Sequence, residues 1–551
     1  MARSTLRGFA QVLMAGVVTA AAAAGGPVEG VSSSDAGRTL YREGRTTSGA
    51  PVQGSRDGHT MLQGAAVACV NCHRRSGLGA IEGRAKTPPI AGGYLFRERL
   101  DKASAQDLPY VDAMRTDRGA YTDATLARAI RDGLDADAKS LSYLMPRFDL
   151  ADGDMASLIA YLKQLGPRHA PGVSQAEIHF ATVVTPDADP VKRKGVLAVL
   201  ERFFAERNQR QRAPSPQLVT SARTSHSQMM FRPQRQWRLH VWQLSGPEAT
   251  WPAQLERYLA AEPVFAVISG LGGAHWTPVH EFCERAALPC LFPNVAAPPA
   301  ETERSFYSLY FSRGVELEAA LIAKQLPDRP DGGVLQVYRK GDAGQEGAAA
   351  LAHLLQARGI PIRSRILGPD EAPGRGRLEF SDKASNAQTV VLWLRPDDLA
   401  RLEAPPADST AVYVSGLIGG LERAPLPAAW RERVRMAYPF DLPERRHVRV
   451  DFALGWFRAE HIDVVAPQEQ IDTYLSCSLL SQTLNHMSDA MVRDYLLERI
   501  EDTIEHQVIT GYYPRLTLGP SQRYASKGGY IVRLRPNPSA GVVAVGEWTV
   551  P

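Results

Sequence analysis

The chain has 551 residues, enough for two or three domains rather than one. Its 44% hydrophobic and 22% charged residues are ordinary for a globular protein. A net charge of +4, or +2 once Arg3 and Arg7 leave with a leader, excludes a nucleic-acid binder, and five cysteines are too few for a disulfide scaffold.

Arg3 and Arg7 form a basic start, and an apolar run rich in Ala and Gly follows to Ala24. This predicts a secretory signal over 1–25, removed on export. No later stretch is long and apolar enough to span a membrane. A helix capped by Ser34 or Asp35 ends at Gly44, with Gly37 and Tyr41 on one face. A Gly-rich loop to about Gly64 leads into Cys69-Val70-Asn71-Cys72-His73. Thr87-Pro88-Pro89-Ile90 is an extended, proline-stiffened loop. A helix capped by Thr122 or Asp123 stops at Gly133. Met145-Pro146 sits in a loop before a last helix over 155–165, capped by Asp152 or its neighbour.

Cys-x-x-Cys-His is the spelling of a c-type haem attachment site. Cys69 and Cys72 would each add to one vinyl group, and His73 would bind the iron from the proximal side. A redox dithiol has no need of a histidine directly after the second cysteine. A structural zinc site needs a second ligand pair at close spacing, and none follows. The order of helix, attachment motif, proline loop, helix, Met-Pro loop and terminal helix resembles a class I cytochrome c over 35–166. That resemblance implies an all-α domain with one covalent haem c, and Gly37 and Tyr41 meeting Leu158 and Tyr161. It implies that Pro88 or Pro89 offers a carbonyl to the proximal histidine, and that Met145, rather than Met61, Met114 or Met155, is the distal iron ligand. A His73/Met145 iron has no open position, which points to electron transfer rather than to an enzyme. Covalent attachment is similar to bacterial periplasmic maturation, so the periplasm is the expected location.

A Pro/Gly-rich linker over 167–176 precedes a change of pattern. From 177 to 551, apolar strands alternate with helices: strands at 178–184, 240–244, 264–269, 333–338, 360–366, 389–394 and 411–415 are separated by amphipathic stretches. This predicts two parallel α/β lobes, long helices over 472–506, and β-hairpins over 513–550. The rhythm of strand 264–269, glycine turn, helix and Leu288-Pro289-Cys290 resembles the type I periplasmic binding proteins, especially the branched-chain amino-acid or amide group. The fold class expected is therefore multidomain: an all-α cytochrome domain followed by an α/β two-lobed binding-protein domain.

By position, the resemblance places Ser269, Gly272, Gly273, His275, Trp276, Asn294, Tyr338 and Trp393 at a ligand cleft. The first two loops lack the small hydroxyl residues that amino-acid binders use, leaving backbone N–H groups to hold any anion. His275 and Trp276 either stack on a ligand or pack the following helix. Cys283 and Cys290 either pair or stay as buried thiols. No Ser-His-Asp set or metal-ligand cluster stands out in this part. The first functional reading is a periplasmic single-electron carrier. Its fused cleft domain would bind a small molecule or a redox partner, such as a periplasmic dehydrogenase or another cytochrome. The second is a solute-binding protein of an ABC transporter or sensor with an accessory redox-sensing haem.

Overall fold

The computed structural model describes residues 33–551 apart from 57–58, 83–84, 97–117, 167–169, 213–234, 300–304, 329–332, 369–388, 404, 406–410, 488–489, 507–510, 521 and 536–540. The leader expected over 1–25, and Met114, lie outside the described residues.

Helix α1 (Ser33–Glu43) leads into strands β1 (Gln53–Arg56) and β2 (Thr60–Gln63). One helical turn, α2 (Val70–His73), carries the Cys-x-x-Cys-His stretch, with Cys69 as its N-cap. Hairpin β3 (Ala80–Glu82) and β4 (Ala85–Thr87) and the turn α3 (Gly92–Leu95) follow. Helix α4 (Asp123–Asp132), strand β5 (Arg147–Asp149) and helix α5 (Asp152–Gln164) complete the domain. The Thr122 hydroxyl accepts from Thr125 N, and Gly133 closes α4 at φ 71°, as its sequence predicts.

The domain is not all-α. β2, β1 and β5 form an antiparallel sheet, with Gly54 opposite Phe148 and Ser55 opposite Arg147. The sheet runs through what the sequence presents as loops, and it ties down the Met145-Pro146 segment. The last helix starts at Asp152, earlier than expected, with Ala151 as its N-cap. Asp152 and Asp154 thus sit in the first turn, where the helix dipole favours acids.

The α1–α5 crossing organises the domain. A Cβ on Gly37 would fall 2.1 Å from the Ser157 carbonyl oxygen and 2.8 Å from Tyr161 Cβ, so only glycine allows this approach. Tyr41 packs on Tyr161 with ring centroids 5.3 Å apart. Ser157, not Leu158, takes the closest contact; Leu158 is buried in the same core.

The first lobe of the body holds β6 (Glu177–Val184), α6 (Pro190–Arg212), β7 (Gln236–Gln243), α7 (Trp251–Ala261), β8 (Ala266–Ile268), α8 (Thr277–Arg285), β9 (Cys290–Leu291) and β10 (Ser308–Leu309). All pairings are parallel, in the order β7-β6-β8-β9-β10. The second lobe repeats the plan. It holds α9 (Val315–Gln325), β11 (Val334–Arg339), α10 (Ala343–Ala357), β12 (Ile362–Leu367), β13 (Thr389–Trp393), α11 (Pro396–Leu399), β14 (Ala411–Ser415), α12 (Gly416–Gly419), α13 (Ala428–Arg431) and β15 (Val434–Tyr438). Its order β12-β11-β13-β14-β15 is again parallel.

Helices α14 (Pro443–Ala459), α15 (Pro467–Met487) and α16 (Arg493–His506) return to the first lobe. There Trp456 donates to Glu206, and Arg493 to the carbonyls of Val264 and Phe265. Finally β16 (Tyr530–Leu534) and β17 (Val542–Ala544) add antiparallel to β15. They form the one described hairpin of the several expected over 513–550. The chain therefore passes between lobes three times.

The buried strands explain the sequence pattern: every residue of β8 and β13 is buried, as strands covered on both faces require. The two domains pack directly on each other. The Gly172 carbonyl accepts from His179 N at 2.8 Å, and Leu78 and Ala91 of the N-terminal domain belong to the same buried core as Phe265 and Phe306.

Candidate functional site

Two sites emerge, a crevice around His73 and a cleft between the lobes. In the first, α2 turns Cys69, Cys72 and His73 together, with His73 N donating to the Cys69 carbonyl at 2.9 Å. His73 is only 6% exposed, and burial lowers its pKa to about 4, so the ring is neutral. Its Nδ1 lies 3.0 Å from the Pro88 carbonyl oxygen. A carbonyl only accepts, so Nδ1 carries the proton and Nε2 keeps its lone pair. Pro88 rather than Pro89 is therefore the second partner of the histidine. Gly79 permits it: at φ +79°, its Cβ position lies 2.2 Å from the Thr87 carbonyl oxygen and against Pro88.

Met145 is half-buried against the same core as Cys69 and Val70. Its carbonyl accepts from the Arg147 guanidinium, and β5 fixes the loop behind it. Met61 is 64% exposed, and Met155 is buried on α5. The donor set fits a covalently attached haem: two thiols, one imidazole with its tautomer fixed, and a thioether in a loop pinned beside the same core.

The residues right after the motif dock on the body. Ser76 donates from N and Oγ to the Glu498 carboxylate at 2.9 and 2.6 Å. Arg75 lies 3.8 Å over the Phe306 ring, and Arg42 pairs with Asp494 at 3.0 Å. Burial pushes the Glu498 carboxyl up to about 8. This interface was not legible in the sequence, because its partners stand more than 200 residues apart, and Ser76 and Glu498 422 apart.

In doubly wound sheets ligands bind at strand C-terminal ends, where the strand order reverses. Here those points are β6/β8 and β11/β13. The structure reassigns most residues expected there. Ser269 is fully buried; its hydroxyl pairs with Thr473 Oγ1 at 2.7 Å and accepts from Asn294 Nδ2 at 3.0 Å. Asn294 also donates to Thr473, so both residues are consumed in tying loops to α15. Trp276 is 1% exposed and lies under Gly270 and Gly272, so it packs rather than stacks on a ligand. Trp393 is 0% exposed beneath Gly344 and Gly347 of α10. Tyr338 is half-buried against the second lobe's core.

Two of the loop N–H groups expected to hold an anion are taken. Ala274 N donates to Asp187 Oδ2 at 2.9 Å, Gly273 N to Thr185 Oγ1 at 3.3 Å, and Thr185 to Asp187 Oδ1. Asp187 also fills the space a Gly273 side chain would need. His275 keeps its expected place, half-exposed on the wall of a cavity of about 750 Å³ between the lobes. Beside it, His280 donates to or accepts from the Tyr310 hydroxyl at 3.0 Å. Cys283 and Cys290 are buried free thiols in contact, with the Cys283 thiol raised by its hydrogen bond to Cys290 and by burial. Among the described residues no cluster of three or more His, Cys, Asp or Glu could hold a metal, and no helix is long and apolar enough to cross a membrane.

No protein-family model matches the chain, and no curated protein matches it. Solved structures similar to it include the fatty acid ABC transporter substrate-binding protein from Thermomonospora curvata, at 14% identity over 70% of this chain and 95% of that one, TM-score 0.46. The branched-chain amino acid transporter substrate-binding protein from Streptococcus pneumoniae in complex with isoleucine is similar at 10% identity over 68% of this chain and 100% of that one, TM-score 0.46. A leucine-binding protein from Thermotoga maritima is similar at 11% identity, 67% and 98%, TM-score 0.45. What the chain's own strand order establishes is an α/β body of two lobes, each built on a parallel sheet.

Proposed function

We propose that the chain is an exported, two-lobed solute-binding protein of the ABC-transporter or sensor kind, with one haem c on a domain docked against its first lobe. The cavity of about 750 Å³, walled by both lobes, carries the binding half of this reading. Three chain crossings between the lobes suit a hinge that closes on a ligand. The haem half rests on the His73–Pro88 contact at 3.0 Å. Cys69 and Cys72 would hold the group covalently, and His73, through its free Nε2, and Met145 would be the residues to bind its iron. Bound there, haem c supplies reversible one-electron transfer.

The body is the larger share of the chain and holds the cavity, so ligand binding comes first and electron carriage second. This reverses the order set from the sequence alone. The site belongs in the periplasm, with a membrane permease or sensor as partner, or a periplasmic dehydrogenase or cytochrome where electrons are exchanged. Thermal-shift titration of the full chain tests it: a ligand at a hundred times its Kd stabilises by about 2.7 kcal/mol. A transition unmoved by amines, amides, alcohols, amino acids and aromatic acids would sink the binding reading.

A further inference from the structure

In both lobes the place for an anion is filled by the protein itself. After β6, Asp187 takes the Ala274 N–H, and its Thr185 partner takes that of Gly273. After β11, Asp342 accepts from Gly344 N at 2.8 Å and pairs with Arg395 at 3.1 Å. At both switch points an aspartate, directly or through Thr185, already takes the N–H groups of Gly273, Ala274 and Gly344 that would otherwise face a carboxylate.

The cavity between them leans the same way. Glu281, Glu284, Glu316 and Glu346 line it, against Arg285 and Arg313. Arg313 is held by Glu316 at 3.0 Å, and Arg285 lies 3.9 Å from Glu256 and 4.0 Å from Glu281. Glu284 accepts from the N–H groups of Phe306, Tyr307 and Ser308 and stays fixed in the wall. Glu346, exposed on the first part of α10, has no cationic partner within 4 Å among the described residues. Pro298, Ala349 and Ala350 give the same space apolar walls.

We propose that this cleft takes an organic cation, a small amine with an apolar body, whose ammonium sits by Glu346. The amine's apolar part lies against Ala349, Ala350 and Pro298. Leucine and similar amino acids are turned away because their carboxylate meets the field of Asp187 and the glutamates. This rests on the solute-binding reading.

Thermal-shift and calorimetric titration of the full chain with matched compounds tests it: 3-methylbutylamine, leucine, 4-methylpentanoate and 3-methylbutanol, with phenethylamine and spermidine to vary the body. At least one amine should bind, more weakly as salt rises, and leucine and 4-methylpentanoate should not. Glu346→Gln should weaken the amine roughly tenfold, and Glu346→Lys more, with the thermal transition of the unliganded protein unchanged. Binding of leucine, the carboxylate or the alcohol in preference to every amine overturns the cation and leaves the solute-binding reading standing. Amine binding indifferent to both Glu346 variants overturns the placement. No binding by any compound overturns the cation, and the solute-binding reading then falls only if the wider screen above is silent as well.

Discussion

The Gly37 crossing makes a quantitative claim. In Gly37→Ala the new Cβ would lie 2.1 Å from the Ser157 carbonyl oxygen and 2.7 Å from its carbon, more than an ångström inside normal contact. The obstacle is backbone, so no rotamer change relieves it, and α1 and α5 must part. Overpacking of this kind costs about 1–3 kcal/mol, and the rigid neighbour places it at the upper end. Gly153, in the first turn of α5, is the control: a Cβ there meets nothing within 4 Å. Gly153→Ala should be neutral or stabilise by about 0.5–1 kcal/mol. Hydrogen exchange of peptides from α1 and α5 is the assay, because all eight tryptophans lie in the body and report on it alone. Gly37→Ala should speed exchange in both helices while the tryptophan transition stays close to that of the parent. A Gly37→Ala protein no less protected than Gly153→Ala would refute the crossing.

Further outcomes are expected at other residues. Burial raises Glu498 from 4.5 to about 8, so the folded state holds its proton longer than the unfolded one. The stabilisation is complete below 4.5 and is lost as pH rises through about 8, at most about 5 kcal/mol. Glu498→Gln should flatten stability against pH between 5 and 9 in denaturant titrations and gain most at the alkaline end; an unchanged slope would place the titration elsewhere. Asp187→Ala frees the Ala274 N–H and the Thr185 hydroxyl that Gly273 N reaches, so carboxylates such as 4-methylpentanoate should begin to raise the transition temperature. If they do not, the loop is no anion cradle. If haem c is attached as proposed, Met145→Ala should lower its reduction potential and alter the reduced spectrum, because a thioether ligand raises the potential. An unaltered potential would reassign the distal ligand.

Much of this architecture was legible in the sequence where the signal is local. Thr122 and Gly133 mark their helix ends because caps act within one turn. Spacing put Gly37 and Tyr41 on one helix face, while their meeting with Tyr161 and the proline carbonyl beside His73 came from the resemblance to class I cytochromes c. The buried runs at 264–269 and 389–394 announced strands covered on both faces. The short sheet of β1, β2 and β5 was hidden, since three- and four-residue strands carry too little alternation to show. β15 went unseen as well. The cleft failed for a different reason. Position at a strand end does not reveal which partner a side chain finds: Ser269 and Asn294 are claimed by Thr473, some 200 residues on. Trp276 was open between stacking on a ligand and packing a helix, and Trp393 stood at the cleft by position alone; the glycines against them make both core. Asp187 carried no motif that tied it to Gly273 and Ala274.

The haem is tested most directly by the denatured mass of the full chain, exported from cells that mature c-type cytochromes. The account predicts the mass of the leaderless chain plus one haem, retained through denaturation, with Cys69 and Cys72 closed to alkylation. A folded protein at the bare polypeptide mass, with both thiols alkylated, would contradict it.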